Sequence, residues 1–363
     1  MGFIDKNLMP KKKVIILYGG RSVEHEISIN SAKNVFQYID KTIFDVYLIG
    51  ISKEGTWHFT DTVSTEFSPS HIASLTLNSK SAVFSDDQRK IEPDIIFPVL
   101  HGTDGEDGSI QGLLQAMDIP YAGSGVLGSA VSMSKLASKR LLKAAGIPTS
   151  EFMAFNFHQR YDISFEDVKE ELGLPFMAKA ANLGSSVGIL KVNNRNEFES
   201  ALKECFTFDH TILFEKYIAG RELECSVMGN AEVKASLPAE IVISPNYEFY
   251  TYEAKYKDPD AVELKVPAVL NEQLVQKIQK LSIQAYQALH CEDFGRVDLF
   301  LTPDDEIFIN EINTIPGFTN SSMFPMMWQE RGISFTNLIT TIINSALKKH
   351  HDSKRLKNDF TRG

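Results

Sequence analysis

The stretch KVIILYGGRSVEHEIS (13–28) decides the fold, because a short β-type run ends in two glycines and leads directly into a helical pattern. Apolar residues then recur at helical spacing from Ile27 to Ile39. Two further β-type runs follow at 44–51 and 94–100, and the second leads through HGTDGEDG into the helical SIQGLLQAM. Strands that alternate with helices predict an α/β domain whose parallel sheet is covered on both faces.

The rest of the chain predicts two further domains. Glycines in YAGSGVLGSA (121–130) mark a boundary, and the run SMSKLASKRLLKAAGIP predicts one helix with Ser132 near its N-cap and Gly146 at its end. Strand-like runs on both sides of a glycine-rich loop follow, and β-type runs dominate the last third of the chain before a final helix. The domains predicted in this way cover residues 1–127, 128–217 and 218–363.

Composition excludes several classes of protein. The 363 residues include 37 Lys and Arg against 47 Asp and Glu, and this net charge of −10 disfavours binding to the anionic backbone of DNA or RNA. The three cysteines are far apart and in no metal-like spacing, which indicates neither disulfides nor a zinc site. No apolar run is long enough for a membrane span or a signal peptide. We therefore expect a cytoplasmic protein with no nucleic-acid or membrane partner.

Residues 295–313 (GRVDLFLTPDDEIFINEIN) predict a β-hairpin, because two alternating runs flank the turn signal TPDD. If an even number of residues forms the connection, the numbers of two opposed residues add up to an odd number. That register places four polar side chains on one face near one end: Arg296, Asp298, Glu311 and Asn313. Oxygen ligands suit Mg²⁺, and an arginine beside them can neutralise charge in a transition state. The alternative is a solvated hairpin end with an ordinary salt bridge.

Three other features could bind ligands, and each has a structural alternative. The loop GSSVG (184–188), with Lys179 before it, offers backbone N–H groups that can wrap phosphates, but such a loop is often a plain turn. Glu24 could bind a ligand at the C-terminal edge of the parallel sheet or simply favour the dipole of the following helix. His101 lies at the same edge and could equally be structural. The chain contains neither a P-loop nor GxGxxG, which disfavours NAD.

Eight motifs in one order make the chain resemble the D-alanine–D-alanine ligases of the ATP-grasp superfamily: GGRSVEHEIS, HGTDGEDGSIQGLL, YAGSGVLGSAVSMSK, KAANLGSSVGI, FEKYIAGRELECSV, YEAKY, GRVDL and NEINTIPGFTNSSMFP. The resemblance implies an ATP-grasp fold, made of a lid domain and a C-terminal domain, preceded by a Rossmann-like domain. It also implies that ATP and two D-alanine molecules react through D-alanyl phosphate to D-alanyl-D-alanine, a peptidoglycan precursor. The family is commonly dimeric, so a homodimer is one expected assembly.

The resemblance also implies roles for individual residues. The implied ATP contacts are Lys135, Lys179, Gly184, Ser186, Glu215, Lys216, Ile218 and Glu222. Two Mg²⁺ ions, for which Mn²⁺ can substitute, would be held by Asp298, Glu311 and Asn313. The implied catalytic residues are Glu24, Ser185, Tyr256, Arg296 and Gly317. The implied substrate contacts are Glu24, His101, Lys255, Arg296 and Ser322.

Closure of the site is implied by a hydrogen-bonded triad of Glu24, Ser185 and Tyr256, which would shut the loop 244–262 over the substrates. From the residues alone, Lys135, Lys216 and Lys255 could also be solvated surface lysines, and Tyr256 could be a packing anchor. One departure from the family pattern is Ala180 after Lys179, where a proline is usual.

Other activities are compatible with parts of this pattern. Tyr256 favours D-alanine as the second substrate, whereas a D-Ala-D-Ser or D-Ala-D-Lac ligase is a near variant of the same chemistry. A non-catalytic nucleotide-binding protein of the ATP-grasp type would be free to lose Arg296 and the metal carboxylates, and the chain keeps them. A Rossmann dehydrogenase would require GxGxxG after the first strand.

Overall fold

The computed structural model describes residues 10–77, 82–184, 188–244 and 261–356. Within these ranges the strands are β1 Lys12–Gly19, β2 Phe44–Ile51, β3 Trp57–Thr60, β4 Ser74–Leu77, β5 Ala82–Ser85, β6 Lys90–Ile91, β7 Ile95–Val99, β8 Phe152–Asn156, β9 Phe176–Ala180, β10 Ile189–Val192, β11 Thr211–Lys216, β12 Arg221–Met228, β13 Lys234–Ala235, β14 Ala239–Ile243, β15 Val262–Lys265, β16 Phe294–Leu301 and β17 Ile307–Asn313. The α-helices are α1 His25–Tyr38, α2 Ser109–Ala116, α3 Val126–Met133, α4 Lys135–Ala144, α5 Phe165–Leu172, α6 Arg195–Phe208, α7 Glu272–Ala288, α8 Met323–Gln329 and α9 Phe335–Ser353.

The first sheet has the order β3-β2-β1-β7, and β1 pairs in parallel with both β2 and β7. Successive residues of β1 belong to different cores, because side chains alternate between the two faces of a strand. Ile16 packs in a cluster with residues of α1 and α9, whereas Ile15 and Leu17 pack with residues of α2. The predicted parallel sheet with both faces covered is therefore confirmed.

The helix predicted from Ser132 is α4, which begins two residues later than predicted, and a separate helix, α3, precedes it. Ser134 has an extended backbone between them, and its hydroxyl accepts from the N–H of Ala137 at 3.4 Å. Ser134, and not Ser132, therefore caps α4. The break lets the N–H of Lys135 donate to the carbonyl of Ala181 at 2.9 Å. Gly146 follows α4 with a φ of +69°, as predicted for the residue that ends this helix.

Two antiparallel sheets follow. The second sheet has the order β10-β9-β11-β8, and the third has the order β15-β14-β12-β16-β17 with the short β13 on β12. Helix α7 covers the third sheet, since its Ile278 and Tyr286 share a cluster with Val297 of β16. Helix α9 returns to the first sheet, where its Ile339 packs in the cluster that contains Ile16. The boundaries at 127 and 217 remain a prediction.

The hairpin of β16 and β17 has the predicted register at its far end. Arg296 lies opposite Asn313, and Asp298 lies opposite Glu311. The premise of an even connection is wrong, however, because Leu301 pairs with Ile307 across an odd number of residues. An irregularity in the pairing after Asp298 adds one residue to β17 and restores the odd sum.

No helix of the described chain is long and apolar enough to cross a bilayer.

Candidate active site

Two adjoining cavities bring the described candidate residues together. The first cavity, of about 430 Å³, lies between the second and third sheets. The second cavity, of about 400 Å³, lies between loops of the first sheet and the third sheet. Lys135, Gly184 and Glu311 line both cavities. The two spaces therefore share a wall at the end of the β16–β17 hairpin.

The candidate residues divide between these two spaces. Those that line the first cavity are Lys135, Lys179, Gly184, Glu215, Lys216, Ile218, Glu222, Asp298 and Glu311. Those that line the second cavity are Glu24, His101, Lys135, Gly184, Arg296, Glu311, Asn313, Gly317 and Ser322. Four candidates, Ser185, Ser186, Lys255 and Tyr256, lie outside the described residues, as does most of the loop 244–262.

Glu215 forms the most buried ionic group of the first cavity. Its Oε2 lies 2.9 Å from Nζ of Lys179 and 3.2 Å from Nζ of Lys139, and accepts from the Ser150 hydroxyl at 3.1 Å. Burial raises the pKa of Glu215, but the two ammonium groups outweigh it and lower that pKa to about 2. Its Oε1 is buried and has no hydrogen-bond partner among the described residues. An ionised carboxylate thus keeps one acceptor oxygen for a ligand.

Local structure explains how these groups meet. Lys179 on β9 lies opposite Leu213 of β11, so Glu215 is its diagonal neighbour on the same face of the sheet. Lys139 is one turn after Lys135 on α4, and burial lowers its pKa against the opposing effect of Glu215. Sequence reasoning missed Lys139 and Ser150. The spacing of four between Lys135 and Lys139 was the signal that could have found the first of them.

At the shared wall, Arg296 holds Asp298 in a bidentate ion pair. Its Nε and Nη2 donate to the two carboxylate oxygens of Asp298, each at 2.7 Å. Nε of Arg296 is also 3.0 Å from Glu224, a residue that sequence reasoning missed. The amide of Asn313 donates to Asp298 at 3.0 Å. Since the side chains of Arg296 and Asp298 are each only 18% exposed, the solvated hairpin end is ruled out.

The same wall offers oxygen ligands for a cation. Within the described ranges, no group of three or more His, Cys, Asp and Glu side chains is placed to hold a metal ion. Asp298, Glu311 and Asn313 instead offer two carboxylates and one amide, which suits a hard cation that keeps waters and shares phosphate oxygens. Nζ of Lys135 lies 3.9 Å from Glu311 and donates to the carbonyl of Leu183.

Two acidic side chains from loops of the first sheet, Glu24 and Glu106, line the second cavity. Glu24 is buried at the start of α1, where its side chain makes no capping hydrogen bond. Gly102 has a φ of +73°, a conformation that favours glycine, and a Cβ there would meet Oε2 of Glu24. Glu106, which sequence reasoning missed, has its pKa raised to about 8 by burial and by the charge of Glu24. A Cβ at Gly317 would lie 2.7 Å from the Ser322 hydroxyl, so these two residues also approach closely.

His101 is fully engaged with protein groups. Its Nδ1 lies 2.8 Å from the carbonyl of Ile315, and its Nε2 lies 2.9 Å from the hydroxyl of Ser31. Burial lowers the pKa of His101, and the charge of Glu24 opposes this effect. Among the ATP candidates, Lys216 is exposed to solvent, and its Nζ lies 3.3 Å from the carboxylate of Glu151.

Comparisons with known proteins identify the family. The family model for the D-ala D-ala ligase N-terminus matches residues 13–124, and the model for the C-terminus matches residues 141–344. The chain is 47% identical to a D-alanine–D-alanine ligase of Oceanobacillus iheyensis over 97% of this chain and 100% of the relative. It is 43% identical to D-alanine–D-alanine ligase A of Escherichia coli over 96% of this chain and 99% of the relative.

Solved structures give the same result for the fold. A D-alanine-D-alanine ligase from Coxiella burnetii superposes with a TM-score of 0.83 at 36% identity, covering 95% of this chain and 96% of that chain. A D-Ala:D-Ser ligase from Enterococcus faecalis also has a TM-score of 0.83, at 31% identity, covering 93% of this chain and all of that chain. The predicted ATP-grasp architecture is therefore confirmed.

Proposed function

The chain belongs to the D-alanine–D-alanine ligase family, and we propose that it joins two D-alanine molecules to D-alanyl-D-alanine at the expense of ATP. The observation that carries this proposal is the pair of adjoining cavities with a common wall at Glu311. One space takes the nucleotide and the other takes the amino acids, so the γ-phosphate and a carboxylate meet at that wall. The dipeptide would serve the synthesis of peptidoglycan, and hence cell shape.

The first cavity is suited to ATP by charge. Lys135 and Lys179 would bind phosphate oxygens, because both ammonium groups line this space. The unpartnered Oε1 of Glu215 can accept from the exocyclic amine of adenine, since an ionised carboxylate is only an acceptor. We assign the remaining nucleotide contacts to Gly184, Ser186, Lys216, Ile218 and Glu222.

Asp298, Glu311 and Asn313 would hold the divalent cations, and we propose two Mg²⁺ ions, with Mn²⁺ as a substitute. When bound, such ions neutralise phosphate charge. The remaining chemistry belongs to side chains and main chain of this protein. Arg296 lies beside the same carboxylates and can stabilise an oxyanion together with the N–H of Gly317.

The reaction would proceed in two steps. The carboxylate of the first D-alanine attacks the γ-phosphate, which gives D-alanyl phosphate and ADP. The amine of the second D-alanine then attacks the acyl carbon, and the tetrahedral intermediate expels phosphate. Glu24 would bind the ammonium of the first substrate, with His101 close by. Ser322 and Lys255 would contact the second substrate and the transferred phosphate.

We further propose that Ser185 and Tyr256 join Glu24 when the loop 244–262 closes over both substrates. Closure would exclude water, which could otherwise hydrolyse the acyl phosphate. We place the enzyme in the cytoplasm, where ATP is available, and propose a homodimer. The proposed domains are 1–127, 128–217 as the lid and 218–363.

A near variant is the second candidate, because the D-Ala:D-Ser ligase of Enterococcus faecalis shares the fold at 31% identity. The test is phosphate release from Mg-ATP with D-alanine alone, and then with an excess of D-serine or D-lactate, with products identified by mass. D-Ala-D-Ala as the main product in every mixture supports the proposal. A mixed product would move the assignment to the variant, whereas ATP binding without phosphate release would indicate a non-catalytic nucleotide-binding protein.

A further inference from the structure

The segment from Ile315 to Phe318 belongs to the C-terminal part of the chain but is held by side chains from the N-terminal part. The N–H of Ile315 donates to Oε1 of Glu106 at 2.9 Å, and its carbonyl lies 2.8 Å from Nδ1 of His101. The N–H of Phe318 donates to the hydroxyl of Ser31 at 3.2 Å. Side chains from the N-terminal part of the chain therefore hold both ends of this short segment.

The proton positions in this network follow from its chemistry. A carbonyl oxygen can only accept, so Nδ1 of His101 carries the proton that is donated to Ile315. In the neutral ring Nε2 is then an acceptor, and the hydroxyl of Ser31 donates to it at 2.9 Å. The same oxygen accepts from the N–H of Phe318. The N–H of Phe318, the hydroxyl of Ser31 and Nδ1 of His101 each have an acceptor, so these hydrogen bonds form a single connected unit.

The side chains that hold the segment are themselves rigidly placed. Ser31 is completely buried on α1, and His101, two residues after the end of β7, is 4% exposed. The second oxygen of Glu106 accepts from the N–H of Gly102 at 2.9 Å, so Glu106 is tied to the loop that carries His101. Buried, fully satisfied polar networks restrict the positions that their members can adopt.

Gly317 lies between the two held peptides. In the part of the chain that the structure describes, its N–H takes part in no hydrogen bond. The side chain of Ser322 also approaches Gly317 closely, because a Cβ added there would lie 2.7 Å from the Ser322 hydroxyl. A peptide N–H that is held in place without a partner is available to a ligand in the second cavity, which Gly317 lines.

We propose that Ser31, His101 and Glu106 are positioning residues that set the N–H of Gly317 from the N-terminal sheet. This inference rests on the proposed function, in which that N–H stabilises the oxyanion of the tetrahedral intermediate. It gives His101 the role of a support for the 315–318 segment, because both of its ring nitrogens are occupied by protein groups. The oxyanion site is thus shared between the two ends of the chain.

Residues that position the oxyanion donor stabilise the transition state more than the ground state. A displaced N–H still leaves the amino-acid and nucleotide contacts in place, so KM should change little while kcat falls. Removal of an oxyanion donor costs about 10²- to 10³-fold in kcat, and a donor that is only displaced should cost less, about tenfold. A purely structural role would instead lower the amount of folded enzyme without this split.

The test compares Ser31→Ala with Ser28→Ala, because the chain offers this matched pair on α1. Both serines are completely buried, and Ser28 also accepts from one backbone N–H, that of Gly19, and donates to one protein acceptor, the carbonyl of Val99. Ser28 has no contact of this kind with the 315–318 segment among the described residues. A loss that came only from a missing buried hydroxyl would appear equally in both variants.

Steady-state kinetics with ATP and D-alanine are measured for both variants and for Glu106→Gln, together with inhibition by a phosphinate dipeptide analogue that carries a tetrahedral oxyanion. We expect Ser31→Ala to lower kcat about tenfold relative to Ser28→Ala and to weaken the analogue in proportion, with KM values within about twofold. Glu106 is the half-buried member of the network. Glu106→Gln should likewise weaken binding of the analogue more than binding of D-alanine.

Equal kcat and equal analogue affinity in the two serine variants would overturn the inference, as would a change in KM alone. If Ser31→Ala does not fold, Glu106→Gln decides by the same ratio of analogue to D-alanine affinity. A wild-type enzyme that forms no D-alanyl-D-alanine would instead contradict the proposed function. Failure of the inference and failure of the function therefore give different results.

Discussion

Glu215 in the first cavity and Glu106 in the second are acidic side chains at the ligand sites, yet their pKa values move in opposite directions. Burial raises both pKa values. At Glu215 the ammonium groups of Lys139 and Lys179 outweigh burial and lower the pKa to about 2. At Glu106 the charge of Glu24 adds to burial, and the pKa rises to about 8.

This difference indicates what each cavity is prepared to bind. The first cavity neutralises its carboxylate with its own lysines, so the carboxylate can present an acceptor without a cationic ligand. The second cavity places Glu24 and Glu106 close enough to raise a pKa, and His101 stays neutral beside them. Two acidic side chains this close together suit a ligand that carries an ammonium, as D-alanine does.

The largest effect is expected at the wall that both cavities share. Asp298→Asn or Glu311→Gln should reduce turnover by about 10³-fold or more, because loss of a bound cation removes several kcal/mol of transition-state stabilisation. Binding of ATP should weaken less, since the other contacts of the first cavity remain. Phosphate release and nucleotide titration measure the two effects.

A suitable control is Glu306→Gln, an exposed residue in the turn of the same hairpin, which should leave both measurements unchanged. Near-normal turnover in either variant of the wall would contradict the assignment of Asp298 and Glu311 as metal ligands. That result would also contradict the proposal that the γ-phosphate and the substrate carboxylate react at this wall.

The next effect tests the ion cluster of the first cavity. Glu215→Gln leaves Lys139 and Lys179 without their buried counter-charge, and breaking a buried pair in this way costs about 3–5 kcal/mol of folding free energy. Glu151→Gln breaks the exposed pair with Lys216 and should have little effect. Urea unfolding at neutral pH measures both. Equal free energies of unfolding for the two variants would show that Glu215 does not offset the buried charges of Lys139 and Lys179.

Sequence reasoning succeeded where contacts are local. Opposed residues of the β16–β17 hairpin follow from alternation along one short stretch, so Asp298 and Glu311 could be placed face to face without a structure. The premise about the connection was wrong, and the added residue in β17 corrected it by chance. Bulges depend on the surrounding sheet and leave no clear mark in the pattern.

The site residues that the sequence did not reveal have their partners on distant parts of the chain. Lys139 and Glu106 acquire their roles from partners on other elements, so the sequence does not show which charges surround them. Ser31 supports a segment almost three hundred residues away in the chain. The start of α4 was misplaced by two residues because Ser132 and Ser134 are both suitable N-cap residues, and the structure shows that Ser134 is the cap.

The opposite pKa shifts predict opposite slopes of stability against pH. Glu106 has a folded-state pKa raised to about 8, so between pH 4.5 and 8 the folded protein binds more protons than the unfolded chain, and its contribution falls as pH rises. Glu215 has a folded-state pKa of about 2, so its contribution is present above pH 4.5 and is lost as pH falls toward 2.

The measurement is urea unfolding of the wild type, Glu106→Gln and Glu215→Gln across these two ranges. The stability difference between wild type and Glu106→Gln should fall as pH rises toward 8, and that between wild type and Glu215→Gln should shrink on acidification. Parallel curves in the neutral range would show that the pKa of Glu106 is not raised in the folded protein.

The smallest effect links this comparison to ligand binding. An ammonium near Glu106 favours the ionised form of that carboxylate, so D-alanine should displace the proton that Glu106 holds at pH 7. Calorimetry with a non-hydrolysable ATP analogue, in buffers of different ionisation enthalpy, should then report release of up to about one proton per active site saturated with D-alanine. Glu106→Gln should abolish this release, whereas Glu306→Gln should retain it. Identical heats in all buffers would mean that the ammonium binds away from Glu106, and the second cavity would then lose the charge argument for D-alanine.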